Sequence, residues 1–146
     1  MSVPSRSQSR PTSVSDVSRA AVDSAYERGL ALVERGEYFA AHEALEEAWR
    51  AAEPRERDFL QGLVHVAVAW YQAGRRNRVG CERQLEKASR RLASYAPTHR
   101  ALDLASLLSQ VERARGDYPV LAPVVIRRVP PTHRRRSEKT PRGERK

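Results

Sequence analysis

The sequence predicts an all-α fold, a compact bundle of about five helices whose first hairpin resembles a tetratricopeptide unit. Apolar residues recur at spacings of three and four between about Asp16 and Asp117, and Gly or Pro interrupts this pattern at intervals. No alternation of strand and helix patterns appears. We therefore expect one helical domain over residues 16–118. A disordered tail precedes it over residues 1–15, and residues 119–146 follow as an extended and then disordered basic tail.

The first two helices form the predicted hairpin. The first begins at Asp16 or Ser18 and runs to about Glu34, and Gly36 suits a left-handed cap. The second covers about residues 38–51. Small residues recur near the spacing of a tetratricopeptide helix pair, which lets two helices approach closely. Only this one unit is readable, because residues 59–97 do not repeat the pattern cleanly; the small residues and the following proline are Gly29, Gly36, Ala41, Ala48 and Pro54.

Three further helices complete the prediction. The third covers about residues 55–73 and is apolar on almost every side, which places it in the middle of the bundle. The fourth covers about residues 77–95, and its apolar residues alternate in steps of four and three. The fifth covers about residues 101–115, with Gly116 and Pro119 ending it. The stretch from Val120 to Ile126 is predicted to lie along the domain as an extended arm.

The positive charge lies mainly in the tails. The chain has a net charge of +9, of which residues 1–15 carry +2 and residues 119–146 carry +7, leaving 16 basic and 16 acidic groups between them. Any affinity for nucleic acid is therefore expected to be weak, to come from the tails and to depend strongly on salt. The chain has one cysteine and no apolar run long enough to span a membrane. We expect a cytoplasmic protein without a membrane partner.

The residues that could carry chemistry begin in the second helix. His42 and Glu46 lie one helical turn apart, at the edge of an apolar stripe that includes Tyr38 and Trp49. An imidazole beside a carboxylate can bind a divalent metal ion or act as an oriented base. The same spacing is also common in plain hydrogen-bonded pairs, so both interpretations stay open.

The third helix supplies a second set of polar residues. Asp58, Gln61, His65 and Gln72 share one side of an otherwise apolar helix, and buried polar groups need partners. We predict that Gln61 and His65 face His42 and Glu46 across a shallow pocket. Two histidines and one glutamate are the smallest set of ligands for a catalytic zinc site. The predicted ligands for zinc, manganese or iron are therefore His42, Glu46 and His65, with Tyr38, Trp49 and Gln61 lining the pocket.

Two motifs together resemble a known family. The segment GEYFAAHEALEEAW contains His42, Glu46 and Trp49, and RDFLQGLVHVAVAWYQ contains a Gln-Gly-Leu run at residues 61–63. They resemble the bacterial and archaeal domain-of-unknown-function family 309 over about residues 25–95. The resemblance implies a small helical bundle and a His-Glu motif suggested to bind metal, without an established activity. The family often has an apolar residue or Gln where this chain has His65.

Three function classes follow from these observations. The leading one is a site for a metal ion or small polar ligand at His42 and Glu46, with hydrolysis compatible but no catalytic residue assigned. The second is a non-catalytic protein-interaction module that uses a tetratricopeptide-like groove. The third is weak association of the tails with nucleic acid. The apolar third helix also leaves room for a homodimer, and the sequence does not decide whether the protein is an enzyme.

Overall fold

The computed structural model describes residues 14–130 and confirms five helices. They are α1 (Val14–Glu34), α2 (Tyr38–Ala51), α3 (Pro54–Gly74), α4 (Arg78–Leu92) and α5 (Leu104–Asp117). The predicted disorder of the tails concerns mainly residues 1–13 and 131–146, which lie outside the described residues. Residues 14 and 15, assigned to the N-terminal tail from the sequence, belong to α1. Within residues 14–130, no helix combines the length and the apolar character needed to cross a membrane.

Helices α1 to α4 form two antiparallel hairpins related by an offset of 40 residues. The turn after α1 and the turn after α3 carry equivalent backbone hydrogen bonds, from Glu37 N to Leu32 O and from Asn77 N to Gln72 O, both 2.9 Å long. The left-handed position is Gly36 in the first turn and Arg76 in the second. Buried residues of the second helix of each hairpin correspond at the same offset, namely Ala41 with Cys81, Leu45 with Leu85 and Ala48 with Ala88. The backbone hairpin thus occurs twice, although the small-residue pattern of the first hairpin does not repeat cleanly over residues 59–97.

The segment between α4 and α5 differs from the prediction. Helix α4 ends at Leu92 rather than near Tyr95, and a 3-10 turn follows over Ala93–Tyr95. Strands β1 (Thr98–His99) and β2 (Leu102–Asp103) then form a short antiparallel pair, so α5 starts at Leu104 rather than near Ala101. Arg100 and Ala101 connect the strands with positive φ angles of 50° and 61°. The residues that favour positive φ angles are Gly, Asn and Asp. Arg100 and Ala101 are none of these, so the local sequence does not indicate this turn.

The chain after α5 lies along the domain, as predicted. Trp70 Nε1 donates a 2.8 Å hydrogen bond to the carbonyl of Ala122. The Gln110 side chain exchanges two hydrogen bonds with the backbone of Val125, at 2.8 and 2.9 Å. Val124 is buried in the core. The arm thus adds an extended backbone layer to a helical core.

Candidate functional site

The His42 and Glu46 side chains are neighbours on α2, as predicted. His42 Nε2 lies 3.6 Å from Glu46 Oε2, and Glu46 Oε1 lies 3.8 Å from Arg50 Nη1. The exposed side-chain fractions of His42 and Glu46 are 24% and 42%. The imidazole is thus partly covered, while the carboxylate stays accessible to solvent and to a second partner.

A small pocket opens beside His42, between α2 and α3. Its volume is about 140 Å³. The ring centroids of Phe39 and His42 are 5.5 Å apart, and those of Phe39 and Tyr71 are 5.2 Å apart. Phe39 is 50% exposed, which is unusual for a side chain of this size in a small domain. The lining residues are Phe39, His42, Val68, Tyr71 and Gln72.

The other residues predicted to line this pocket lie elsewhere. The Tyr38 hydroxyl accepts a 3.2 Å hydrogen bond from the backbone N–H of Val124, so this side chain reaches the C-terminal arm. Trp49 packs against the core, and the Arg57 guanidinium lies 5.1 Å from the centroid of its ring. Gln61 is half-buried on α3 and is not among the lining residues. Tyr38 and Trp49 lie on the same side of α2 as His42, but the Tyr38 side chain reaches the arm and Trp49 lies about two helical turns beyond His42 along the axis.

Asp58, His65 and Gln72 of α3 have polar partners on α4 or at Asn77 just before it, and not on α2. Arg91 Nη1 donates a 2.7 Å hydrogen bond to Asp58, and Asn77 Nδ2 donates a 3.1 Å bond to Gln72. Between them, His65 Nδ1 lies 2.6 Å from Gln84 Oε1. The three pairs are Asp58 with Arg91, His65 with Gln84 and Gln72 with Asn77. Residue numbers rise along α3 as those of the partners fall, which is the register of two antiparallel helices. Asp58, His65 and Gln72 therefore have partners across the α3–α4 interface, whereas His65 was expected to face α2.

His65 is buried against α4. It is only 9% exposed, and its Nε2 has no hydrogen-bond partner among the described residues. Burial lowers the pKa of His65, and the charges of Arg91, Lys87 and Arg90 lower it further, while the hydrogen bond to Gln84 partly opposes them. The ring is therefore neutral at pH 7, with Nδ1–H donating to the Gln84 amide oxygen.

The predicted metal ligands are not assembled in one place. Among residues 14–130, no three His, Cys, Asp or Glu side chains are grouped so that they could hold a metal ion. His42 and Glu46 remain a pair of neighbouring donors, whereas His65 is engaged with α4. The residues present therefore do not fit a three-ligand centre, and a weaker metal site at His42 and Glu46 stays a prediction.

A polar network that was not predicted from the sequence connects α1, α3 and the β1–β2 turn. His99 Nε2 lies 3.0 and 3.1 Å from the two carboxylate oxygens of Glu56, and Arg100 Nε donates a 2.9 Å hydrogen bond to the same group. Arg100 also bonds Asp23 on α1, at 2.9 Å. Burial alone would raise the pKa of Glu56, but the hydrogen bonds from Arg100 and His99 outweigh burial and hold this pKa below its usual value.

This network is best explained as a set of interactions that stabilises the β1–β2 turn against α1 and α3. Glu56 and Arg100 do line a pocket of about 260 Å³ near the start of α1. Their charged groups are already directed at each other and at His99 and Asp23, so the network supplies its own partners. No local pattern marks it in the sequence, because its members come from distant parts of the chain and meet only after the hairpins stack.

Two comparisons with known proteins bear on this site. Residues 26–84 match the model of a family described as a domain of unknown function, DUF309. An uncharacterized protein of Bacillus subtilis (strain 168), YpuF, is 28% identical in an alignment that covers 60% of this chain and 56% of that protein. The chain thus spans little more than half the length of this relative.

The matched stretch runs from the middle of α1 to the middle of α4. It includes every residue that lines the pocket beside His42 and leaves out His99, Arg100, α5 and the arm. The motifs around His42 and at residues 61–63 lie inside it. The resemblance of this chain to the domain of unknown function DUF309 is thereby confirmed over residues 26–84.

Proposed function

We propose that the protein is a non-catalytic interaction module, and that the pocket beside His42 receives one aromatic or bulky aliphatic side chain of a partner protein. The observation that carries this proposal is the exposed Phe39 ring beside a small cavity. A volume of about 140 Å³ is of the order of one large side chain and is below the usual range for a metabolite pocket. The module would act in the cytoplasm, where Cys81, buried in the core, stays a thiol.

The lining of the pocket supports recognition rather than reaction. Phe39, Tyr71 and Val68 supply apolar surface, and His42 and Gln72 supply polar groups that can fix the orientation of a ligand. Aromatic residues of this kind are enriched where protein interfaces concentrate their binding energy. A single side-chain pocket gives a weak contact by itself, so the partner would need further contacts nearby.

A selection of random-sequence peptides displayed on phage tests this proposal. The full-length protein is the target, the enriched peptides are then tested on Phe39→Ala, and Val79→Ala is the matched control. Val79 is also exposed and occupies the equivalent position in the second hairpin, at the 40-residue offset. We expect enriched peptides to share one aromatic or bulky aliphatic residue, to bind wild type and Val79→Ala alike, and to lose at least about tenfold in affinity for Phe39→Ala.

Two outcomes would contradict the proposal. One is a selection without any shared apolar residue. The other is a set of peptides that bind Phe39→Ala as well as wild type, which would place the binding surface elsewhere.

A second candidate is a metal ion or small polar ligand held by His42 and Glu46. The 3.6 Å separation of Nε2 and Oε2 favours it, because both atoms can approach one cation without a change of rotamer. This second candidate predicts that Zn²⁺ perturbs the His42 ring and that His42→Ala abolishes the effect. A metal ion at His42 and Glu46 would require no change in the fold, but it would not explain the apolar residues that line the pocket.

A further inference from the structure

The charges of the domain cancel in total but are divided between its two hairpins. Residues 21–54 contain eight acidic and three basic side chains. Residues 75–91 contain seven basic and two acidic side chains. The neutral sum over the domain therefore conceals a basic side formed by α4 and the turn before it.

Three of the five basic side chains of α4, those of Arg83, Lys87 and Arg90, form an outward stripe in which Arg83 and Arg90 are exposed and Lys87 is half-buried. The helix buries Cys81, Leu85, Ala88 and Leu92 in the core. At 100° per residue, Arg83 and Arg90 fall opposite these residues, and Lys87 lies between them along the axis. With a rise of 1.5 Å per residue, the three side chains follow one another at intervals of roughly 4–6 Å. Arg75 and Arg76 extend the same basic region into the preceding turn, where both are exposed.

Part of this charge is not neutralised by neighbouring carboxylates. Arg78, Arg90 and Arg91 each have an acidic partner, at 3.2, 3.5 and 2.7 Å respectively. Among residues 14–130, no carboxylate lies within ion-pair distance of Arg83 or Lys87. Arg83 and Lys87 of the α4 stripe thus carry cationic groups without an acidic partner among residues 14–130, next to Arg90, which is paired with Glu86.

We propose that the stripe of Arg83, Lys87 and Arg90 binds the phosphate backbone of nucleic acid. Arginine supplies 24 of the 27 basic residues of the chain, and its planar guanidinium group matches phosphate oxygens with two parallel hydrogen bonds. Helix α4 contains no aromatic residue that could stack on a base, so the stripe contacts the backbone and does not read bases. Binding is therefore independent of sequence and sensitive to salt.

The sign of the remaining charge favours a polyanion over a second copy of the chain. A second copy could pair its acidic hairpin with the α4 stripe, but the net charge of +9 on each chain opposes self-association. Residues 119–146 carry a further +7. The net charge of the chain thus has the sign that attracts a polyanion.

Fluorescence anisotropy with the full-length protein tests this proposal. The probes are a labelled duplex DNA of arbitrary sequence and a labelled single strand of the same length, measured at a series of salt concentrations. The test variant is Arg83→Glu with Lys87→Glu. The control is Arg35→Glu with Arg50→Glu, which changes the net charge equally on the acidic hairpin. Sedimentation of each variant reports self-association under the same conditions.

We expect the wild type to bind with a steep dependence on salt. The test variant should bind at least about tenfold more weakly near 0.1 M salt. The slope of log K against log salt should become shallower by about 2, because two phosphates are no longer neutralised by the protein and each accounts for about one unit. The control should bind within about threefold of the wild type, since electrostatics at a distance are screened.

Four results would overturn the proposal. The first is that the wild type does not bind, and the second is that the test variant binds as the wild type does. The third is that the control substitutions weaken binding as much as the test substitutions, which would mean that net charge or residues 119–146 account for binding. Self-association that both salt and the test variant abolish, without binding to nucleic acid, would assign the stripe to a second copy of the chain.

Discussion

His65 shows how the packing of one residue creates a dependence of stability on pH. Its ring is buried between α3 and α4, beside the positive charges of Arg91, Lys87 and Arg90. Burial and these charges hold its pKa below the ordinary value of about 6.5 in the folded protein. The unfolded chain has neither effect, so it binds a proton more readily than the folded one.

We expect the free energy of unfolding to fall as the pH drops below about 6.5. In the window between the folded and unfolded pKa values the unfolded state holds more protons, so stability is complete above the window and decreases through it by up to about 1.4 kcal/mol per pH unit. Urea unfolding at pH 7.5 and at pH 5.5 measures this change. His65→Gln should remove most of it, and His42→Gln should not. An equal loss of stability in His65→Gln and wild type would contradict this assignment.

The side-chain partners of individual residues were the part least accessible from the sequence. The i to i+4 spacing of His42 and Glu46 was sufficient to place them together, because both lie on one helix. The partner of His65 depends on which neighbouring helix faces it. Because α3 is apolar on almost every side, its sequence does not indicate which side faces which helix. His99 and Glu56 meet across 43 positions of chain, through a turn without a sequence signal.

At the scale of elements, the two hairpins use small residues where their helices approach most closely. A Cβ atom on Gly29 of α1 would lie 2.6 Å from the Leu45 side chain of α2. A Cβ atom on Gly62 of α3 would lie 2.6 Å from the Leu92 side chain of α4. Close approach at Gly29 was predicted from the spacing of small residues. Its counterpart in the second hairpin was missed because Gly62 does not fall at the 40-residue equivalent of Gly29.

We expect Gly29→Ala to lower the free energy of unfolding by about 1–3 kcal/mol, since the buried Leu45 side chain must shift to admit a methyl group. Gly74→Ala is the matched control, because nothing lies within 4 Å of its Cβ position at the end of α3. The control should leave stability unchanged or raise it by up to about 1 kcal/mol. Chemical unfolding of both variants measures the difference. Equal effects of the two substitutions would mean that α1 and α2 have room for a methyl group between them.

The whole molecule is a pair of hairpins completed by its own C-terminal chain. Helix α5 and the arm contribute buried residues to the same core as α1 to α4, including Leu107, Val111 and Val124. Arg128 forms an ion pair with Glu27 of α1, which ties the end of the arm to the start of the fold. Two helical hairpins alone are fewer than the three or so units a stacked array needs, and the C-terminal chain supplies the missing cover.

The fold class, the five helices and the course of the arm were predictable from the sequence, because helical periodicity and Gly or Pro breaks are local signals. The repetition of the hairpin was not predictable from the sequence, because the left-handed position of the turn is Gly36 in the first hairpin and Arg76 in the second. The division of charge between the hairpins was also missed. It becomes meaningful only when α4 is known to turn Arg83 and Lys87 outward.

The proposed function requires that the pocket beside His42 receives a side chain of a partner protein. Its most direct test is a two-dimensional ¹H–¹⁵N spectrum of the full-length protein, titrated with p-cresol as a side-chain analogue and, separately, with Zn²⁺. We expect p-cresol to shift the amide resonances around Phe39, Val68 and Tyr71, with a dissociation constant on the order of 1 mM, and Zn²⁺ to leave them in place. Val68→Phe, which fills the pocket, should abolish the response to p-cresol. If Zn²⁺ shifted the resonances of His42 and Glu46 and p-cresol produced no shifts, the result would contradict the claim and favour the metal site.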